Sequence, residues 1–119
     1  VVNSGHHAPL LYEHGAHKAR AIQGRNTDLL GWNRNFVSAV PACTHISGNE
    51  LIILYSDGIQ ELFNAGSGRA LSFLQQHSKE SPSYICDSIG LYTSIVTGNT
   101  GIVHDDITVI AVKLDLGAA

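Results

Sequence analysis

Asp57, Asp105 and Asp106 are the residues whose type and placement best suit chemistry. Asp57 follows the apolar run Leu51-Ile52-Ile53-Leu54-Tyr55, from which only Ser56 separates it. Asp105 and Asp106 stand immediately before the β-branched run Ile107-Thr108-Val109-Ile110-Ala111-Val112. Both runs read as strands, the first too short for a typical helix and the second rich in β-formers. A strand buried on both faces that ends on a carboxylate holds it on a rigid support at the edge of a core. If the two strands are antiparallel neighbours, the end of one and the start of the other share a sheet edge, and the aspartates converge. Carboxylates grouped without a basic partner repel each other unless a cation sits between them. Oxygen-only ligands suit magnesium or manganese. Each position also has a plainer explanation. Asp57-Gly58 is a strong tight-turn signal, and Asp105-Asp106 alone reads as a solvated turn before a strand.

Other reactive residue types are less well placed. His7, His14 and His17 have loose strand-turn spacing and read as turn or surface histidines; with His6 they are the four histidines near the start of the chain. A histidine-rich metal protein would rest on them alone. Cys43 and Cys86 are the only cysteines and are most simply buried thiols of a reducing compartment, with a disulfide left open.

The elements that must position the aspartates follow from periodicity. Val1 to Gly5 reads as the end of a strand with no start signal, so the chain is expected to begin in mid-fold. His6 to Pro9 is a turn in which Pro9 cannot donate to a ladder. Leu10 to Tyr12 and Lys18 to Gln23 are predicted strands joined through Glu13 to Ala16, an antiparallel meander. Gly24 to Asp28 reads as a polar loop. Phe36, Val37, Val40 and Ile46 are candidates for a buried face. Ile59, Leu62 and Phe63 fall on one helical face, which argues against a simple hairpin at Asp57-Gly58. A second helix is predicted over Arg69 to His77. A third starts at Ser81-Pro82, with serine at the N-cap and proline at the first position. Its buried face is Ile85, Ile89, Tyr92 and Val96, and it runs to about Thr97, with a loop from Gly98.

Composition narrows the function classes. The 119 residues make about one domain. Hydrophobic content of 44% with 14% charged residues makes the chain globular. A net charge of −3 and a pI near 6.1 give no basic footprint for nucleic acid. No apolar stretch approaches a membrane span, and no secretory signal opens the chain, so a cytoplasmic location is expected.

Taken together, the motifs resemble one family. Asn3-Ser4-Gly5-His6-x-Ala8-Pro9-Leu10-Leu11 resembles the Asn-Ala-Gly-His-x-Pro-Pro stretch of the SpoIIE/RsbU class of metal-dependent (PPM, protein phosphatase 2C-like) serine/threonine phosphatases. Leu30-Gly31 resembles that class's Leu-Gly motif. Gly48-Asn49-x-Leu51-x-x-Leu54-Tyr55-Ser56-Asp57-Gly58-x-x-Glu61 resembles its Gly-Asp-x-Leu-x-x-Tyr-Thr-Asp-Gly-x-x-Glu block, and Asp105-Asp106-Ile107-Thr108 its closing Asp-Asp-Ile-Thr. Each motif alone is weak; in the family's order over nearly the whole chain they are specific.

The resemblance implies an α+β fold, an α-β-β-α sandwich of which residues 1–119 are the C-terminal portion. It also implies a site for two ions, Mn²⁺ or Mg²⁺, with Asp57 and Asp105 as metal-binding catalytic residues. Gly58 and Asp106 take supporting roles. His6, with Asn3 in the same motif, is an active-site neighbour, or else a structural turn histidine. Two metals about 3.5–4 Å apart hold a water between them and lower its pKa toward neutrality. The implied substrate is phosphoserine or phosphothreonine on an anti-anti-sigma (STAS-type) protein. The chain departs from the family in lacking its upstream Gly-Asp motif, so the two-metal site is incomplete here. The alternative is a non-catalytic fragment or degenerate domain that acts by binding protein. Uncovered sheet edges would also favour self-association.

Overall fold

The computed structural model describes residues 2–3, 6–27, 34–35, 41–62, 67–101 and 105–115. Ser4, Gly5, Leu30-Gly31, Phe36, Val37, Val40, Phe63 and His104 lie outside the described residues. In chain order the elements are strands β1 (Val2–Asn3), β2 (Leu10–Glu13), β3 (Lys18–Ala21), β4 (Arg25–Asn26) and β5 (Leu51–Tyr55). Helices α1 (Asp57–Leu62), α2 (Ser67–Gln76) and α3 (Pro82–Thr100) follow, and then strand β6 (Val109–Lys113).

The main sheet has the order β3-β2-β5-β6, with every neighbouring pair antiparallel. Its register explains the core. Tyr12 opposes Leu51, Leu10 opposes Ile53, Ile53 opposes Ala111 and Tyr55 opposes Val109. Because side chains alternate across a strand, these residues share one face. Leu10, Tyr12, Leu51, Ile53 and Tyr55 are buried there with Ile59 of α1, Leu74 of α2, and Ile85 and Ile89 of α3. α2 lies against β3 and β2, and α3 against β6.

The central strand is not buried on both faces, contrary to the sequence expectation. Leu54, Ile110 and Val112 point the other way and are exposed, and Ile52 is half-buried. The helices cover only the face of Leu51, Ile53 and Tyr55, and an apolar run in an antiparallel pair does not itself reveal which face is covered. Other expectations need correction too. Arg25–Asn26, read as polar loop, pairs in parallel with Val2–Asn3 as a small second sheet. α3 continues through Gly98 and stops at Gly101, whose φ of 65° places it in the left-handed region and whose N–H bonds the Thr97 carbonyl. An interior glycine costs a helix about 1 kcal/mol without ending it, whereas one at the C-cap ends it cheaply. Ser81 caps the other end as expected, accepting from the Tyr84 N–H. Tyr92, expected on the buried face of α3, is exposed at its edge. Cys43 is exposed and Cys86 half-buried, so neither is a buried core thiol.

The turn that feeds β5 is built around an acid. Gly48 and Asn49 have φ of 111° and 63°, conformations that glycine and asparagine tolerate best. Glu50 is only 3% exposed, and a buried carboxylate needs donors. It accepts from the Ser47 hydroxyl and from the N–H groups of Ser47 and Gly48. The Ser47 hydroxyl, the largest influence, holds its carboxyl below the ordinary range; burial opposes this, and the Gly48 and Ser47 N–H groups reinforce it. Since the folded pKa is depressed, this contribution is present above the unfolded value and lost as pH falls through the folded one. Urea titrations should therefore find Glu50→Gln less stable than wild type at pH 7, with the gap closing below about pH 4. Parallel pH profiles for the two proteins would contradict this role.

Candidate metal centre

The antiparallel β5–β6 pair brings the acidic positions to one sheet edge. Tyr55 opposite Val109 is the last pair of the ladder. Beyond it Ser56 leads into Asp57, the first residue of α1, while Asp105 to Thr108 leads into β6. The Ser56 N–H donates to the Thr108 carbonyl at 3.0 Å. The Thr108 N–H donates to the Ser56 hydroxyl oxygen at 2.9 Å, and that hydroxyl donates to the Asp106 carbonyl at 3.0 Å.

Gly58 closes the contact. A Cβ built on it would lie 2.7 Å from the Asp106 carbonyl oxygen, 2.8 Å from that of Asp105 and 2.9 Å from Ile107 Cγ1. Here the absent side chain lets two backbones meet. Asp57, Asp105 and Asp106 are exposed. The Asp57 carboxylate sits in the first turn of α1, where the positive end of the helix dipole favours it. The Asp105 carboxylate accepts from the Asp106 N–H at 2.8 Å, which orients it from within the segment.

His6 belongs to the same neighbourhood. It lines a shallow depression with Leu54, Tyr55, Ser56, Thr108 and Ile110. Asn3 holds its backbone. The Asn3 side-chain oxygen accepts from the His6 N–H at 2.7 Å, and its amide donates to the His6 carbonyl. His7 stacks on Tyr55 with ring planes 3° apart. His14 and His17 lie in the β2–β3 turn, and the His14 ring meets Tyr12 edge-on. They are away from the aspartate edge, at the opposite end of β2.

The aspartates fit a hard divalent cation in kind, since they offer exposed carboxylate oxygens. They fall short in number: among the described residues no group of three or more His, Cys, Asp or Glu is placed to hold a metal. Among the same residues, no helix is long and apolar enough to cross a membrane.

Ser56 and Glu50 are structural determinants that the sequence pattern does not single out. Ser56 had a legible signal, a hydroxyl at the last position of a strand whose antiparallel partner starts opposite. For Glu50 the signal was an acid two and three residues after Gly48 and Ser47, whose N–H groups can turn back onto it.

Comparison with known proteins bears on the whole chain. The family model for stage II sporulation protein E (SpoIIE) matches residues 1–115. The chain is similar in structure to the phosphatase domain of the cell fate determinant SpoIIE from Bacillus subtilis. The TM-score is 0.59 at 19% identity, over 95% of this chain and 50% of that one. A manganese-presoaked form of the same domain gives 0.63 at 18% identity, over 97% and 50%. A third structure, the PP2C phosphatase domain with a fragment of the regulatory domain, gives 0.61 at 24%, over 94% and 33%. The antiparallel sheet with its helices thus matches part of the PP2C phosphatase fold, and the chain spans half or less of those solved chains. No curated protein sequence matches.

Proposed function

Because this chain belongs to the SpoIIE family, we propose that its protein is a metal-dependent phosphatase acting on phosphoserine or phosphothreonine of a regulatory protein. The observation that carries this reading is the packing of Gly58 against the Asp105 and Asp106 carbonyls, which sets Asp57 and Asp105 on one exposed edge. Asp57 and Asp105 would hold the cation, Mn²⁺ or Mg²⁺. Such an ion, when bound, polarises phosphoryl oxygens and lowers the pKa of water. Gly58 lets the first turn of α1 meet the Asp105 and Asp106 backbone, and the Asn3 side chain holds the His6 backbone N–H at 2.7 Å. We assign the substrate to the phosphorylated STAS-type (anti-anti-sigma) class, in the cytoplasm.

A second reading has its own observation. The partial donor set among the described residues suits a domain that binds a phosphoprotein without hydrolysing it. Phosphate release from a phosphorylated STAS protein by the full-length protein separates the two. Release should require Mn²⁺ or Mg²⁺, stop on chelation and return when metal is restored. Binding of the phosphoprotein with no release under any metal would favour the second reading.

A further inference from the structure

We propose that the free side of β6 pairs with β6 of a second copy of this chain, antiparallel and centred on Ala111. This association does not depend on the aspartates binding a metal. β6 is the last strand in the order β3-β2-β5-β6, so among the described residues only β5 pairs with it. The register determines which of its backbone groups are left over. In an antiparallel pair, hydrogen-bonded positions alternate with non-bonded ones. The Ser56 N–H bonds the Thr108 carbonyl at one end of the ladder, and the Leu114 N–H bonds the Glu50 carbonyl at the other. Ile110, opposite Leu54, and Val112, opposite Ile52, therefore direct their N–H and carbonyl groups to β5. Val109, Ala111 and Lys113 direct theirs outward, along an edge open to another strand.

The two outer strands of the sheet differ in how they are guarded. β3 carries Lys18 and Arg20, and α2 lies against it; charge and a covering helix are common protections of an edge. β6 reads Val-Ile-Ala-Val-Lys, with one charge at its end and no proline. A second copy fits this edge by its own sequence. A two-fold axis at Ala111 sets Ala111 against its copy and Val109 against the copy's Lys113, so every outward N–H and carbonyl gains a partner. On the uncovered face, Ile110 and Val112, 52% and 38% exposed, meet Val112 and Ile110 of the copy. Apolar pairs placed directly across two strands stabilise them. The single charge also suits this register: Lys113 stands opposite a valine, and the two lysines are about 13 Å apart along the strands. One strand pair is small beside the roughly 800 Å² per partner of a stable interface, so the dimer is of the weak class.

Sedimentation of the full-length protein over a dilution series measures the association, and amide hydrogen exchange locates it. The wild type should pass from dimer to monomer on dilution. In the dimer the Val109, Ala111 and Lys113 amides should exchange more slowly, while those of Ile110 and Val112 stay protected at every concentration. Ala111→Pro removes an outward donor and leaves the β5 ladder its bonds, the one setting in which a strand accepts proline. Because the axis removes that bond twice, the dissociation constant should rise about tenfold or more. Ile110→Lys, on the exposed face, should weaken the dimer as well, and it carries the test if the proline variant does not fold. A monomer at every concentration overturns the proposal, as does a dimer that the folded variants leave intact. Protection of the three outward amides in the monomer also overturns it, since another segment of the same protein would then occupy the edge.

Discussion

Gly58→Ala is expected to destabilise the protein by about 2 kcal/mol in urea unfolding, although alanine is the better helix former. In an exposed helix the exchange would favour alanine by about 1 kcal/mol. At Gly58 the new methyl would meet the Asp106 and Asp105 carbonyl oxygens at 2.7 and 2.8 Å and Ile107 Cγ1 at 2.9 Å. The Ile107 side chain can rotate aside, but the two carbonyls belong to backbone, and the Asp106 carbonyl is held by the Ser56 hydroxyl. Relief requires α1 to move away from the 105–108 segment, which separates Asp57 from Asp105. The variant should lose Mn²⁺ affinity as well as stability. An unchanged or raised unfolding free energy would show that the two backbones are not in this contact.

Asp57→Asn should reduce Mn²⁺ affinity by more than about a hundredfold, exceeding what groups outside the ligand set contribute. Asparagine preserves the shape and removes the charge. Asp57 is exposed at the start of α1, outside the packed core, so stability should change by no more than about 0.5 kcal/mol. That separation makes the variant informative: a folded protein that no longer binds Mn²⁺ has lost a ligand. Equal affinity in variant and wild type would remove Asp57 from the site.

Much of this arrangement was legible in the sequence, and the gaps have physical causes. Leu51–Tyr55 was readable because its apolar run and flanking turn signals agree, and the structure gives that strand the predicted bounds. That β5 and β6 are antiparallel neighbours, so that Asp57 and Asp105 lie toward one sheet edge, is as expected, but among the described residues no group of three His, Cys, Asp or Glu is placed there to hold a metal. Ser81-Pro82 marked the start of α3 through local capping chemistry alone. What the sequence withheld depends on long-range partners. Nothing local states that the Ser56 hydroxyl, rather than its carbonyl, bonds Thr108. Nothing local distinguishes the covered face of β5 from the exposed one, because both faces carry isoleucine or leucine. Glycine spacing misled at Gly98, where packing of Val96 against the core lets the helix continue to Thr100. The β1–β4 pair escaped for the same reason: Arg25–Asn26 has no strand pattern and takes its conformation from Val2–Asn3.

The central claim is that Asp57 and Asp105 serve one cation, and a double-mutant cycle on Mn²⁺ affinity tests it most directly. Asp57→Asn, Asp105→Asn and the double variant of the full-length protein are titrated with Mn²⁺ under one set of conditions. Ligands of one ion act as a unit, so their effects should be strongly non-additive. Each single variant should lose most of the affinity, and the double variant should lose little more. Losses that simply add, or an Asp105→Asn variant that binds Mn²⁺ as the wild type does, would contradict a shared site at this edge.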